Sequence, residues 1–125
     1  MTALALGLLV CALGQRPATV ARVVDGDTIV VQDLLLLRVA GPSGAIRTLY
    51  EGKIRLLDVS APEPGQPGGP EATAWMRARL PAGEAVCLTD LAMPVRLDGF
   101  GRVLARVLDS DGDVGAGIVA AGLAR

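Results

Sequence analysis

The sequence predicts a mainly β fold with helices (α+β), closed into one small barrel. Three observations predict it. Short runs rich in Val, Ile, Leu and Thr recur between turn signals. Helical spacing of apolar residues occurs only twice, after the third strand and at the C-terminus. No repeat or linker divides the 125 residues, a length suited to one domain with a sizeable core.

The elements follow in order. Residues 19–24 and 28–31 read as two strands around the Asp-Gly signal of VVDGDTIVV. An apolar extended run over 34–39 leads to the turn signal GPSG at 41–44, and strands return over 45–50 and 53–59. The stretch APEPGQPGGP holds four prolines and three glycines and is a loop. A helix follows: Pro70 suits its first turn, Glu71 suits the positive end of its dipole, and Ala72, Trp75, Met76 and Leu80 form one apolar stripe. Trp75 is thereby assigned to the core. Short strands are expected over 84–89, 94–97 and 103–108. DSDGD at 109–113 lacks the downstream Glu of an EF-hand and reads as a turn, with Asp113 the N-cap of a last helix. That helix presents Val114, Ile118 and Ala121 on one face, and its glycines make it depend on tertiary contacts. Five short strands with a helix after the third and another at the end fit a five-stranded OB-type barrel.

Composition excludes several chemistries. Histidine is absent, which removes His-based nucleophile systems, histidine-ligated zinc and a histidine general base. Cys11 and Cys87 lack metal-ligand spacing, and Cys87 reads as a buried strand residue. With 12 basic and 13 acidic residues there is no global pull toward polyanions, so any such site must be local. The uncharged apolar run 3–13 is too short to span a bilayer. Its length and the small residues Ala12 and Gly14 suit a signal peptide over 1–14, although no Lys or Arg precedes it. The alternative is a first strand or a truncated leader, and with it a cytoplasmic rather than a secreted or envelope location.

Four pieces together carry chemistry: VVDGDT, IRLLDVSAPE, GPEATAW and DGFGR. Pro62 locks its own φ and holds Ala61 extended, giving Glu63 the rigid backbone that a water-orienting carboxylate needs. Arg102 follows a glycine at the start of a strand, where its guanidinium projects from the rim. Forked donors on Arg55 and Arg102 match phosphate oxygens and stabilise the charge that builds on a five-coordinate phosphorus. A divalent cation with oxygen ligands would account for Asp27.

In these pieces and their order, ending in GLA, the chain resembles the staphylococcal (thermo)nuclease family over residues 20–124. The resemblance implies the five-stranded barrel over 18–125 and hydrolysis of DNA or RNA, with low sequence specificity, by a Ca²⁺-dependent monomer. By position, Asp27 matches a calcium-ligating aspartate with Asp25 behind it, and Ala61 would offer the metal its backbone carbonyl. Arg55 and Arg102 match the phosphate-binding arginines, and Glu63 matches the glutamate that positions or deprotonates the attacking water. Phe100, the aromatic before the second arginine, is the substrate-contacting candidate.

The departures qualify that activity. Ser60 stands where the family carries a second metal-ligating aspartate, a neutral hydroxyl in place of a charge. Asp58, two residues earlier, would lean to the same face of a regular strand. A hairpin, 33–50, is inserted between Thr28 and Arg55, and the base-contacting tyrosines have no counterpart. Two readings therefore stand: a metal-dependent phosphodiesterase, or a degenerate barrel that binds nucleic acid or a partner without cutting. A structural module attached to the cell envelope is a third.

Overall fold

The computed structural model describes residues 9–40, 46–91 and 95–125. In chain order the elements are β1 (Arg16–Asp25), β2 (Thr28–Ala40), β3 (Ile46–Leu56), α1 (Gly69–Arg79), β4 (Ala85–Thr89), β5 (Val95–Arg96), β6 (Arg102–Asp109), β7 (Gly112–Asp113) and α2 (Val114–Ala120). Five of the strands close a barrel in the order β1-β2-β3-β6-β4, with β4 returning to β1. Every contact in that ring is antiparallel except β3–β6, which is parallel. This is the α+β, OB-type barrel the sequence predicts.

Alternation explains the interior. Along β6, Val103, Ala105 and Val107 are fully buried while Leu104 and Arg106 face out. Ile29 and Val31 of β2, with Ile54 and Leu56 of β3, complete an aliphatic centre. Burying one such side chain contributes about 1.5–3 kcal/mol, so a core nearly free of aromatics is sufficient.

Both helices plug the barrel. α1 begins one residue before Pro70 and buries Ala72, Thr73 and Met76, with Leu80 just beyond its end. Trp75 packs against the core only partly buried, with the Arg79 guanidinium 5.6 Å from its ring, rather than inside it. In α2, the Asp113 side chain accepts the Ala116 N–H at 3.1 Å, as an N-cap should. Val114 and Ile118 are buried, but Ala121, the C-cap of the helix, is exposed.

β1 begins three residues earlier than expected, at Arg16, and Gly112–Asp113 of the expected turn form β7; three further differences bear on the site. β3 is continuous from Ile46 to Leu56 where two strands were expected, and it pairs with β2 as far as Ala40↔Ile46. The inserted hairpin is thus an extension of the β2–β3 ribbon; its GPSG turn lies outside the described residues. β5 is only Val95–Arg96, paired with the far end of β2. β3 also ends three residues before Val59, so Asp58 is not in a strand. It sits in the left-handed region (φ 60°) and gives its carboxylate to Arg106 at 2.7 Å.

Cys11 and Cys87 form a disulfide across a separation of 76 residues. Burial of Cys87 agrees with its expected place in a strand, but nothing in the local sequence marked the pairing. Among the described residues no helix is long and apolar enough to cross a membrane.

Candidate functional site

The first hairpin turns through Gly26 and Asp27, because Asp25 pairs with Thr28. The tip is clamped from two sides. A Cβ on Gly26 would lie 2.7 Å from the Ala61 Cβ and 2.8 Å from the Ala72 Cβ, so only glycine lets the turn seat against the proline loop and α1 together. The Asp-Gly pair, readable as ordinary hairpin chemistry, is therefore also a packing requirement.

Asp27 is buried at that seam. Its Oδ1 accepts the Thr28 hydroxyl at 3.0 Å, and its Oδ2 accepts the Ala61 N–H at 3.0 Å. Its backbone N–H donates to Asp25 Oδ1 at 3.1 Å. Burial pushes the Asp25 carboxyl above its ordinary range; the Asp27 N–H opposes this, while the charges of Asp27 and Glu63 add to it. Asp25, Asp27 and Glu63 thus form one electrostatic neighbourhood.

Arg55 closes it. Its Nη1 donates to the carbonyls of Leu56 at 2.7 Å and Val59 at 2.5 Å, and its Nη2 lies 3.4 Å from Asp27 Oδ2. Five guanidinium N–H donors are available, so these contacts leave donors over. Arg102 stands on the neighbouring strand. Register pairs Lys53 with Arg102 and Arg55 with Leu104, so the two arginines are diagonal neighbours on the outer face of β3–β6. Both line one cavity of about 420 Å³, shared with Val59, Ser60, Asp98 and Arg125.

The loop before β6 presents Arg102. Asp98 Oδ1 accepts the N–H groups of Phe100 and Arg102 at 2.9 Å, and its Oδ2 accepts the Arg102 Nε–H at 2.9 Å. Burial alone would raise the Asp98 carboxyl, but these donors outweigh it and hold it below the ordinary range. Phe100 is 82% exposed, with the Arg102 guanidinium 5.1 Å from its ring centre.

Glu63 is exposed on the proline loop. Gln66 fixes its backbone from both sides: the Glu63 N–H donates to Gln66 Oε1 and the Gln66 N–H to the Glu63 carbonyl, each at 2.9 Å. Gly69 packs against that same carbonyl, and a Cβ there would overlap it. Ser60 lies at the rim, its N–H donating to the Arg125 carbonyl at 2.6 Å and its carbonyl accepting the Arg125 N–H at 2.8 Å.

Sequence reasoning missed three residues here: Asp98, Gln66 and Arg125. Asp98 had a local signal, since an Asp two residues before an aromatic and four before an Arg suits an Asx turn. Arg125 had none, because only the return of the chain after α2 brings it to Ser60.

Among the described residues, no three His, Cys, Asp or Glu side chains stand at metal-ligating spacing. Around the Asp27 carboxylate stand the Thr28 hydroxyl, the Ala61 N–H and the Arg55 guanidinium, so the carboxylate and the hydroxyl are the oxygens there that a hard cation takes. A scan against protein-family models and a search of the curated proteins both return no match to this chain.

Proposed function

We propose that the chain is a metal-dependent phosphodiesterase that hydrolyses DNA or RNA with little sequence preference, of the staphylococcal nuclease type that its motifs resemble. The observation carrying this reading is the convergence of Arg55 and Arg102, from strands far apart in sequence, on one cavity beside the Asp27 turn. Guanidinium donors left unused by the fold suit the non-bridging oxygens of a phosphodiester and the extra charge of its transition state. Glu63, exposed and rigidly held, orients a water for in-line attack on phosphorus and accepts its proton. Asp27, the Ser60 hydroxyl and the Ala61 carbonyl would hold a Ca²⁺ ion, which when bound adds positive charge beside the phosphate. A disulfide suits an oxidising, extracytoplasmic compartment, where calcium is also plentiful.

The test is calcium-dependent cleavage of single-stranded DNA by the purified protein, repeated with Glu63→Gln. A rate loss of about 10²–10⁴ is expected for removal of a general base. Full activity in that variant would remove Glu63 from the mechanism.

One observation favours the binding-only alternative. Both Asp27 oxygens already accept hydrogen bonds, and the neighbouring metal-ligand position is the neutral Ser60. A protein that binds single-stranded DNA yet cleaves none, with or without calcium, would establish it.

A further inference from the structure

The barrel register aligns more than the two arginines. Across four strands the partners run Arg22 of β1, Val30 of β2, Lys53 of β3 and Arg102 of β6. Paired residues share a face. Their neighbours Val23, Ile29, Ile54 and Val103 point into the core, so this row points outward. Neighbouring strands lie about 4.8 Å apart, which makes the row about 14 Å long. Arg22 and Lys53 are exposed, and neither forms an ion pair among the described residues.

The row continues at both ends. Beyond Arg22, the exposed Arg77 of α1 lines the same hollow of about 410 Å³, with Leu80 and Pro81. At the other end Arg102 opens on the cavity shared with Arg55, and the exposed Phe100 stands beside it. Val30, at the middle of the row, is buried, so the accessible groups of the row are Arg22, Lys53 and Arg102. Glu51, two residues before Lys53 on the same face, is the acidic neighbour. The near-zero net charge of the chain thus conceals a local basic line.

We propose that this outer face of β1–β2–β3–β6 is a binding track for a single-stranded polynucleotide, its phosphates running across the strands from Arg22 past Lys53 to Arg102. The track rests on the phosphodiesterase reading only in where it ends; its cations lie mostly outside that site. A single strand is preferred over a duplex because the line is one cation wide and meets an exposed aromatic face on which an unpaired base can stack. It gives the substrate a direction, entering over β1 and reaching the Arg55–Arg102 cavity last.

The test is binding of a fluorescein-labelled oligothymidylate, read by anisotropy in EDTA across a series of salt concentrations. Each phosphate contact to a single strand contributes about 0.7 to the slope of log affinity against log salt. Arg22→Gln and Lys53→Gln should each lower the slope by about 0.7, equivalent to about five-fold weaker binding at 0.1 M salt. Arg22→Lys and Lys53→Arg should restore it. Arg16→Gln removes the same charge about 20 Å away along β1 and should leave the slope unchanged. Row variants with the wild-type slope would overturn the track, as would equal losses from Arg16→Gln, tighter binding of a duplex of equal length, or no binding by the wild-type protein. Failure of the phosphodiesterase reading looks different: the row slopes persist while calcium-dependent cleavage is absent.

Discussion

Two arginine-centred regions lie at opposite ends of β6, and the chain treats them differently. At the C-terminal end, Arg79 makes a two-pronged contact with the buried Asp109, at 2.5 and 2.9 Å. Arg106 there reaches Asp58 and Asp90 at 2.7 Å and Asp113 at 3.8 Å. At the N-terminal end, Arg102 has one carboxylate, Asp98, and Arg55 has Asp27 at 3.4 Å plus two carbonyls. In the first region the carboxylates outnumber the guanidiniums, which are saturated in charge, though not in N–H donors, and serve the fold. In the second, donors remain beside an open cavity. The same residue type is structural where its partners are complete and available to a ligand where they are not.

Arg102→Gln would break this comparison most sharply. It should lower cleavage by about a thousandfold, the loss expected for a donor aimed at developing charge, while the unfolding midpoint moves little. A stability loss without a specific-activity loss would make the open end structural after all. Next comes the disulfide, which fastens the N-terminal segment to β4 beside the saturated end. Loop closure of this length contributes about 4 kcal/mol. Reduction should lower stability by that order in urea titrations and leave activity per folded molecule unchanged.

Arg79→Gln probes the saturated end directly. It strands a buried carboxylate, so a loss of about 3 kcal/mol is expected, with specific activity retained. Ser60→Asp adds charge to the open end; about tenfold tighter calcium dependence of cleavage would sharpen the contrast. If cleavage appears only in that variant, the natural chain is a binder. The smallest effect is in acid. Burial alone would raise the Asp109 carboxyl, but the Arg79 guanidinium and the Asp111 N–H hold it below its ordinary range. A folded pKa below the unfolded value means this stabilisation is complete above about pH 5 and fades as acid protonates the group. Urea midpoints should therefore fall from about pH 5 downward, and less steeply in Arg79→Gln.

Much of the fold was legible because its signals are local. Period-two runs gave the strands, the proline loop and Pro70 placed α1, and Asp113 marked the start of α2. Boundaries that depend on partners were not legible. β3 runs through Glu51 and Gly52, where β2 pairs with it, and Asp58 lies beyond its end in the left-handed region, paired with Arg106. Trp75 packs against the core from its edge, with Arg79 of the next helical turn over its ring.

The candidate site divides the same way. Asp27, Arg55, Glu63 and Arg102 stood out through residue type beside a turn, a rigid bend or a strand start, which are properties of a few consecutive residues. The meeting of Arg55 with Asp27 and with Arg102 was not in those residues. It is set by the parallel β3–β6 register and by a turn that only a glycine lets dock on α1. Gln66, Arg125 and the Arg22–Lys53–Arg102 row entered the same way, through contacts or strand pairings that no short stretch of chain contains. The sequence by itself determined which groups could carry charge, bend or bury; the tertiary structure decided which guanidiniums are consumed by carboxylates and which are left facing open space. Local chemistry fixes what a side chain can do, whereas its remaining capacity depends on neighbours that the chain supplies from far away.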